Sequence, residues 1–305
     1  MENKIKVGII ILNYNNYEDT LECYNSISVL KSYETEIIVV DNCSTNDSFD
    51  ILKKALPKEV HLIRSDKNRG YAAGNNIGIK FSVKIGCSHI CILNNDTIVD
   101  SDFVKECVDY LDQNSTVAFV GPTIIDYREG FVQSTGGDIN ILKGKVNMKN
   151  YGKNLVDLPK IISCDYVGGA CIVCKVSLLQ DIGLIPENYF LFFEETEWCY
   201  KALSKGYMNF CLSNVTIIHK GSSSVNAIGD LQEYLMERNR IVFVRRNTSK
   251  VRYVFFLIYY FIRNIYRMFK YDISYSKNFK SYIDGMFNKV SKKYPFVICE
   301  EEKDK

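Results

Sequence analysis

Four short apolar runs, each closed by a cluster of Asn, Asp or Ser, constrain this chain more than any other feature. They lie at 7–12 (VGIIIL), 36–40 (EIIVV), 60–63 (VHLI) and 89–93 (HICIL), with helical patterns between them near 17–30, 48–56 and 72–82. Continuous β-branched runs separated by helices imply a parallel sheet, because parallel strands need crossovers and the crossover helices cover both faces. Ligands of such sheets bind outside the carboxyl ends of the strands. Those ends carry Asn13-Tyr14-Asn15, Asp41-Asn42-Cys43-Ser44, Arg64-Ser65-Asp66 and Asn94-Asn95-Asp96. All are suited to hydrogen-bonding a polar ligand. The same residue types also serve turns and helix caps, as Asn46-Asp47-Ser48 is expected to do.

The first strand leads into NYNNYEDT, a turn without glycine. This excludes the G-x-G-x-x-G turn of dinucleotide folds and the G-x-x-x-x-G-K-[ST] loop of P-loop NTPases at this position. Phosphates held there need another device, and a divalent cation offsets their charge without a glycine loop. The 305 residues are 47% apolar and 24% charged, which excludes collagen-like and disordered classes. Eleven cysteines are odd in number and spread along the chain, and no apolar stretch of signal-peptide type follows Met1. Reduced thiols and a cytoplasmic location are therefore expected.

The net charge of +2 conceals a split. Residues 238–293 carry 14 Lys/Arg and 2 Asp/Glu, a balance of +12, against −10 elsewhere. Such asymmetry directs the tail toward something anionic. Within it, 253–262 is an uninterrupted apolar run of ten residues between Arg252 and Arg263. Spanning a bilayer takes about 20. Three readings stand: a nucleic-acid surface, a helix lying at a bilayer surface with Arg252, Arg263, Arg267 and Lys270 at anionic headgroups, and a helix packed on the body. The apolar run speaks against nucleic acid, so no nucleic-acid partner is expected.

The segment FFEETEWCYKALSKGY reads as a helix with Trp198, Cys199, Ala202 and Leu203 as its apolar stripe, Glu197 and Lys201 as an i,i+4 pair and Gly206 as its stop. Glu194 and Glu195 then sit at its start, where the helix dipole favours their charged forms. Cys171-x-x-Cys174 and the alternating Cys87, His89, Cys91 raise zinc. If 170–176 is a strand, Cys171 and Cys174 face opposite ways and cannot share an ion. Buried thiols are expected instead.

Taken together, IILNYNN, IIVVDNCSTNDS, NRGYAAGNNIGIK, ILNNDTIVD, YVGGACIVCK, IGLIPENYFLFFEETEWCYKALSKGY and IIHKGSSS cover 7–224 in order, with an RNR segment after them. In these motifs the chain resembles the family 2 glycosyltransferases, especially the bacterial rhamnosyltransferase-like members that extend lipid-linked polysaccharides. The resemblance implies an α/β fold of the glycosyltransferase A type, a nucleotide-binding βαβ half with a mixed central sheet and a C-terminal helical region. It divides the chain into a catalytic domain at 1–245, with a nucleotide-sugar half at 1–100 and an acceptor half at 101–245, and a basic aromatic helical tail at 246–305.

The resemblance also implies roles. Asp41 would accept a hydrogen bond from the donor's base, favouring a pyrimidine (UDP- or dTDP-sugar), with Asn13 and Asn68 completing the pocket floor. Asn94-Asn95-Asp96 occupies the place of the D-x-D metal motif, so Asn95 would lie on the donor and Asp96, its only carboxylate, would bind Mg²⁺ or Mn²⁺. His219 would join the metal or the diphosphate. Glu195 would be the general base, a position usually held by Asp, with Glu194 beside it on the acceptor side. Gly168 and Gly169 would permit close approach by sugar or backbone. The expected activity is metal-dependent, inverting transfer of a sugar to a hydroxyl of a glycan, on a polyprenyl-linked acceptor at the inner face of the membrane, in cell-surface polysaccharide synthesis. The alternative is a non-catalytic sugar-nucleotide or glycan-binding module on the same fold.

Overall fold

The computed structural model describes residues 5–99, 101–221, 229–271 and 275–294, with backbone alone at 267–271 and 275–278. The nucleotide half alternates as expected: β1 (Lys6–Asn13), α1 (Tyr17–Ser26), β2 (Glu34–Asp41), α2 (Ser48–Ala55), β3 (His61–Arg64), α3 (Tyr71–Lys84) and β4 (His89–Asn94). The second half follows with β5 (Thr97–Ile98), α4 (Phe103–Gln113), β6 (Val117–Asp126), β7 (Val132–Ser134), β8 (Gly137–Asn140), β9 (Lys145–Met148), β10 (Ile161–Cys164), β11 (Cys171–Lys175), α5 (Leu178–Ile182), α6 (Glu194–Ser204) and β12 (Met208–His219). Three further helices close the described chain: α7 (Gly229–Asn247), α8 (Lys250–Tyr271) and α9 (Tyr275–Met286).

The main sheet has the order β10-β12-β6-β11-β4-β1-β2-β3. β3, β2, β1 and β4 are mutually parallel, whereas β11 runs antiparallel to both β4 and β6. The sheet is thus mixed, in an α/β fold with a helical C-terminal region. Chain order reverses about β1: β2 and β3 continue to one side, and β4 returns on the other. A crevice opens at such a reversal because neighbouring crossovers leave on opposite faces. Asn13 and the Asn94-Asn95-Asp96 turn stand at its lip.

Alternation along β1 sends Val7, Ile9 and Ile11 into one core layer and Ile10 into the other, all with no exposed surface. Both layers being buried explains why the strand is apolar from Val7 to Leu12. Cys171 and Cys174 fall in different layers in the same way, so they share no site. In α3, Gly74 and Gly78 face β1 so closely that a Cβ would lie 2.4 Å from Leu12 Cδ1 and 2.5 Å from Ile10 Cγ2.

α8 answers one of the tail readings. Phe256 and Tyr260 are buried against Tyr189, Phe193 and Phe243, so one face of this helix packs on the body. Its opposite face is open, and packing and surface exposure belong to two sides of one helix. Arg263 lies over the Tyr260 ring at 5.1 Å. The side chains of Arg267 and Lys270 lie outside the described residues.

Candidate active site

At the end of β2, Asp41 has no exposed surface. Its Oδ2 accepts from Asn13 Nδ2 at 2.8 Å and its Oδ1 from the Ser44 amide at 3.0 Å. Asn13 is fixed in turn, since its Oδ1 accepts from Thr20 Oγ1 at 2.9 Å. Arg64, at the end of β3, lies beside this carboxylate with Nε 3.6 Å from Oδ1, and its side chain is 44% exposed. Arg64 is therefore the solvent-facing cation of the pocket, which the sequence presented only as one member of a polar strand end. Asn68 shapes the neighbouring turn: its Oδ1 accepts from Asn42 Nδ2 at 3.0 Å and from the Gly70 amide at 2.9 Å.

Across the crevice, Asn95 Nδ2 donates to Thr20 Oγ1 at 3.0 Å, tying the turn after β4 to α1. The next residue, Asp96, faces β12. Antiparallel pairing of β5 with the end of β12 sets His219 opposite Thr97, and the Lys220 amide donates to the Asp96 carbonyl at 2.9 Å. This register brings His219 Nε2 to 3.2 Å from Asp96 Oδ1. On the far side of the ring, Nδ1 is 2.8 Å from Gln133 Oε1, on β7. An amide oxygen only accepts, so Nδ1 carries a proton toward Gln133 and Nε2 is the ring atom turned to Asp96.

Nε2 is buried and makes no hydrogen bond. A buried ring nitrogen and a carboxylate oxygen that converge at this distance suit a divalent cation bound in place of a proton, so the residues present fit one. Among the described residues no group of three or more His, Cys, Asp or Glu gathers as a complete metal shell. Two protein ligands suffice when phosphate oxygens and water supply the rest, as is usual for Mg²⁺. Lys220 Nζ meanwhile is paired with Asp19 at 2.6 Å and with Glu22, anchoring the strand end to α1. Ser222, Ser223 and Ser224 of the expected loop lie outside the described residues.

The acid pair approaches from the second half. Asn94 N donates to Ala170 O at 2.9 Å, joining the Asp96 turn to the segment before β11, and Tyr71 Oη donates to Gly169 O at 2.8 Å. A Cβ on Gly169 would lie 3.1 Å from Glu195 Oε1, and one on Gly168 would lie 2.9 Å from Ile124 Cδ1. The close approach expected at Gly169 is thus made by the Glu195 carboxylate. Tyr71 lies within the electrostatic reach of Glu195, Glu194 and Asp96 together, and burial chiefly, then those charges, pushes its hydroxyl well up.

Glu194 is buried, whereas Glu195 is partly exposed. Each has an Oε2 that is buried and makes no hydrogen bond. Desolvation raises both carboxyls; Glu194 is raised well above the ordinary value by burial and then by the charge of Glu195, while backbone N–H groups at the start of α6 partly offset the rise in Glu195. Glu194 therefore holds its proton more firmly, and Glu195 ionises first.

What holds this pair lies outside their helix. The preceding loop places Phe190, Phe192 and Phe193 at φ of 69°, 70° and 78°, a conformation that non-glycine residues adopt at a cost of roughly 1–3 kcal/mol. Asn239, fully buried in α7, shares its side-chain N–H groups among the carbonyls of Tyr189, Leu191 and Phe192 at 2.7–3.0 Å. Its neighbour Arg238 binds Asn188 O at 3.0 Å. The Tyr71 amide takes Phe190 O at 2.8 Å. The RNR segment is accordingly a clamp on the loop before the acids. Glu197 makes the expected i,i+4 pair with Lys201 at 3.7 Å, but it is 1% exposed and is also bound by Tyr189 Oη and by Arg246 Nε at 3.1 Å.

The family model described as glycosyl transferase family 2 matches residues 8–181. A low-salt glycan biosynthesis hexosyltransferase, Agl10, of Haloferax volcanii is 28% identical over 207 residues, 64% of this chain and 61% of that protein. The chain thus spans well under two thirds of that relative's length. A dTDP-rhamnosyl transferase, RfbF, of Shigella flexneri is 25% identical over 254 residues, 78% of this chain and 79% of that protein. Among solved structures, the mannosyltransferase PcManGT of Pyrobaculum calidifontis, in complex with GDP-Man and Mn²⁺, superposes with a TM-score of 0.58 at 14% identity, covering 81% of this chain and 66% of that one. That likeness shows a shared glycosyltransferase A-type fold. Glu195 and His219 lie beyond the matched span, but the nucleotide half, the Asp96 turn and β11 are inside it, and on that match the chain belongs to glycosyl transferase family 2.

Proposed function

We propose that this protein transfers a sugar, with inversion, from a UDP- or dTDP-activated donor to a hydroxyl of a glycan acceptor. The observation that carries this reading is the meeting of Asp96 and the orphaned His219 Nε2 at the lip of the crevice, joined through Ala170 and Gly169 to the Glu195 carboxylate. In this reading the imide N–H of the pyrimidine takes the place of Arg64 beside the Asp41 carboxylate, which is otherwise closed from solvent, with Asn13 and Asn68 shaping the pocket and Asn95 holding the turn. Asp96 and His219 hold Mg²⁺ or Mn²⁺, which when bound neutralises charge on the diphosphate leaving group. Glu195 takes the proton of the acceptor hydroxyl, which attacks the anomeric carbon from the face opposite the nucleotide. A single displacement inverts the centre. Glu194, the more reluctant of the two to ionise, keeps a second negative charge away from the base, and on the acceptor side Gly169 leaves the Glu195 carboxylate the room a Cβ would take while Gly168 packs close to Ile124.

The Shigella relative's name supports a dTDP-sugar donor, and the Mn²⁺ of the Pyrobaculum complex supports a cation. The acceptor in this reading is a polyprenyl-linked glycan of cell-surface polysaccharide synthesis, met by the catalytic domain at 1–245 on the cytoplasmic face of the membrane. The test is release of UDP or dTDP from a panel of activated sugars with glycan acceptors, with Mn²⁺ and with EDTA. Release that needs both acceptor and cation is expected. Donor binding without release across the panel would favour a binding module.

A further inference from the structure

α8 carries apolar residues on the side turned away from the body. Val251, Val254, Phe255, Ile258, Ile262 and Tyr266 are 53–69% exposed and recur at three- and four-residue spacing, a continuous stripe along one face. Water-exposed stripes of this kind mark interaction surfaces. Lys250 and Arg252 are exposed at its first turn. The surrounding segment 238–293 has a balance of +12. A second copy brought face to face would set two such helices together, each with five Lys/Arg and no Asp/Glu, so charge opposes self-association and favours an anionic occupant. Among the described residues no helix is long and apolar enough to cross a membrane.

We infer that α8 docks on the surface of an anionic lipid bilayer, its stripe entering the boundary between headgroups and acyl chains and its basic residues meeting the headgroups. The buried side of the same helix shares a core cluster with Phe193, the residue before Glu194, so the docked face belongs to the same packed unit as the acid pair. This places the proposed base at the membrane where a lipid-linked acceptor is met, and in that respect rests on the proposed function.

Docking itself needs neither donor nor acceptor, so vesicle binding separates the two readings. The full chain is sedimented with vesicles of phosphatidylcholine alone and with one third phosphatidylglycerol, at low and at physiological salt. Salt-sensitive pelleting with the anionic vesicles alone is expected. Lys250→Gln with Arg252→Gln should weaken it about 25-fold, at roughly fivefold per basic residue. Phe255→Ser with Ile258→Ser and Ile262→Ser should abolish it while leaving the melting transition in place, because these side chains are exposed. Equal pelleting with neutral and anionic vesicles, or none with either, overturns the inference. So does a dimer in sedimentation equilibrium that the triple serine variant dissolves while vesicle binding is unchanged.

Discussion

At the scale of single residues, the two glutamates separate by environment. Burial raises both carboxyls, and Glu194 more than Glu195. A base acts in its ionised form, so turnover should rise with pH along an acid limb that lies above the ordinary Glu value of 4.5. Glu195→Gln should remove that limb and lower turnover by on the order of 10² or more, with donor affinity near wild type. Glu194→Gln should be milder. If Glu194→Gln is the more damaging, the base has been assigned to the wrong acid. His219 owes its orientation to Gln133, a residue on a three-residue strand with no motif around it. Gln133→Ala should weaken Mn²⁺ binding by about 10–100-fold, and Gln133→Glu, which keeps the acceptor, should restore most of it. Mn²⁺ titration followed by electron paramagnetic resonance reads this without turnover. Asp41 and Asp96 could be placed in the sequence because each follows an apolar run in a polar cluster, and His219 through the resemblance; Gln133 and the contacts of Asn239 could not, because their partners lie 86 and about 50 residues away.

At the scale of elements, β1 to β4 and the helices between them were readable because crossover units are local and their apolar periods differ. The pairing of β6, β11 and β12 was not, since β11 joins β6 antiparallel and β12 joins it parallel across contacts distant in sequence. Glu197 and Lys201 show the limit from the other side: spacing finds the i,i+4 pair but cannot see that Arg246 and Tyr189 bury the carboxylate. In α3, helix propensity alone makes Gly78→Ala favourable by about 1 kcal/mol. The 2.5 Å approach to Ile10 Cγ2 reverses the sign, and the substitution should cost about 1–3 kcal/mol in urea unfolding. In α6 the buried Glu194 makes stability depend on pH. Its folded value lies above the unfolded one, so the native state binds more protons and stability falls as pH rises from about 4.5 through the folded value. Glu194→Gln should therefore gain in melting temperature over wild type at pH 8 and lose that gain near pH 4.

At the scale of the whole molecule, the C-terminal helices belong to the body that holds the site. α7 clamps the loop before the acid pair through Asn239, and Phe256 and Tyr260 of α8 join the core cluster that includes Phe193. We keep the division at 245 as a proposed change of surface, from crevice to basic tail, while Arg246 and Phe256 reach back across it. Phe256→Ala should cost about 3–5 kcal/mol of stability in denaturant melts, although it lies far beyond the span of the family model. A change confined to local fraying of α8 would show the tail to be an independent unit. The claim on which the account turns is that diphosphate is held through a cation at Asp96 and His219. Isothermal titration of UDP and of dTDP into wild type and Asp96→Ala, each with Mn²⁺ and with EDTA, tests it most directly. The account predicts Mn²⁺-dependent binding of at least one of the two nucleotides by wild type and its loss in Asp96→Ala; equal affinity in EDTA, or undiminished Mn²⁺-dependent binding by Asp96→Ala, would contradict it.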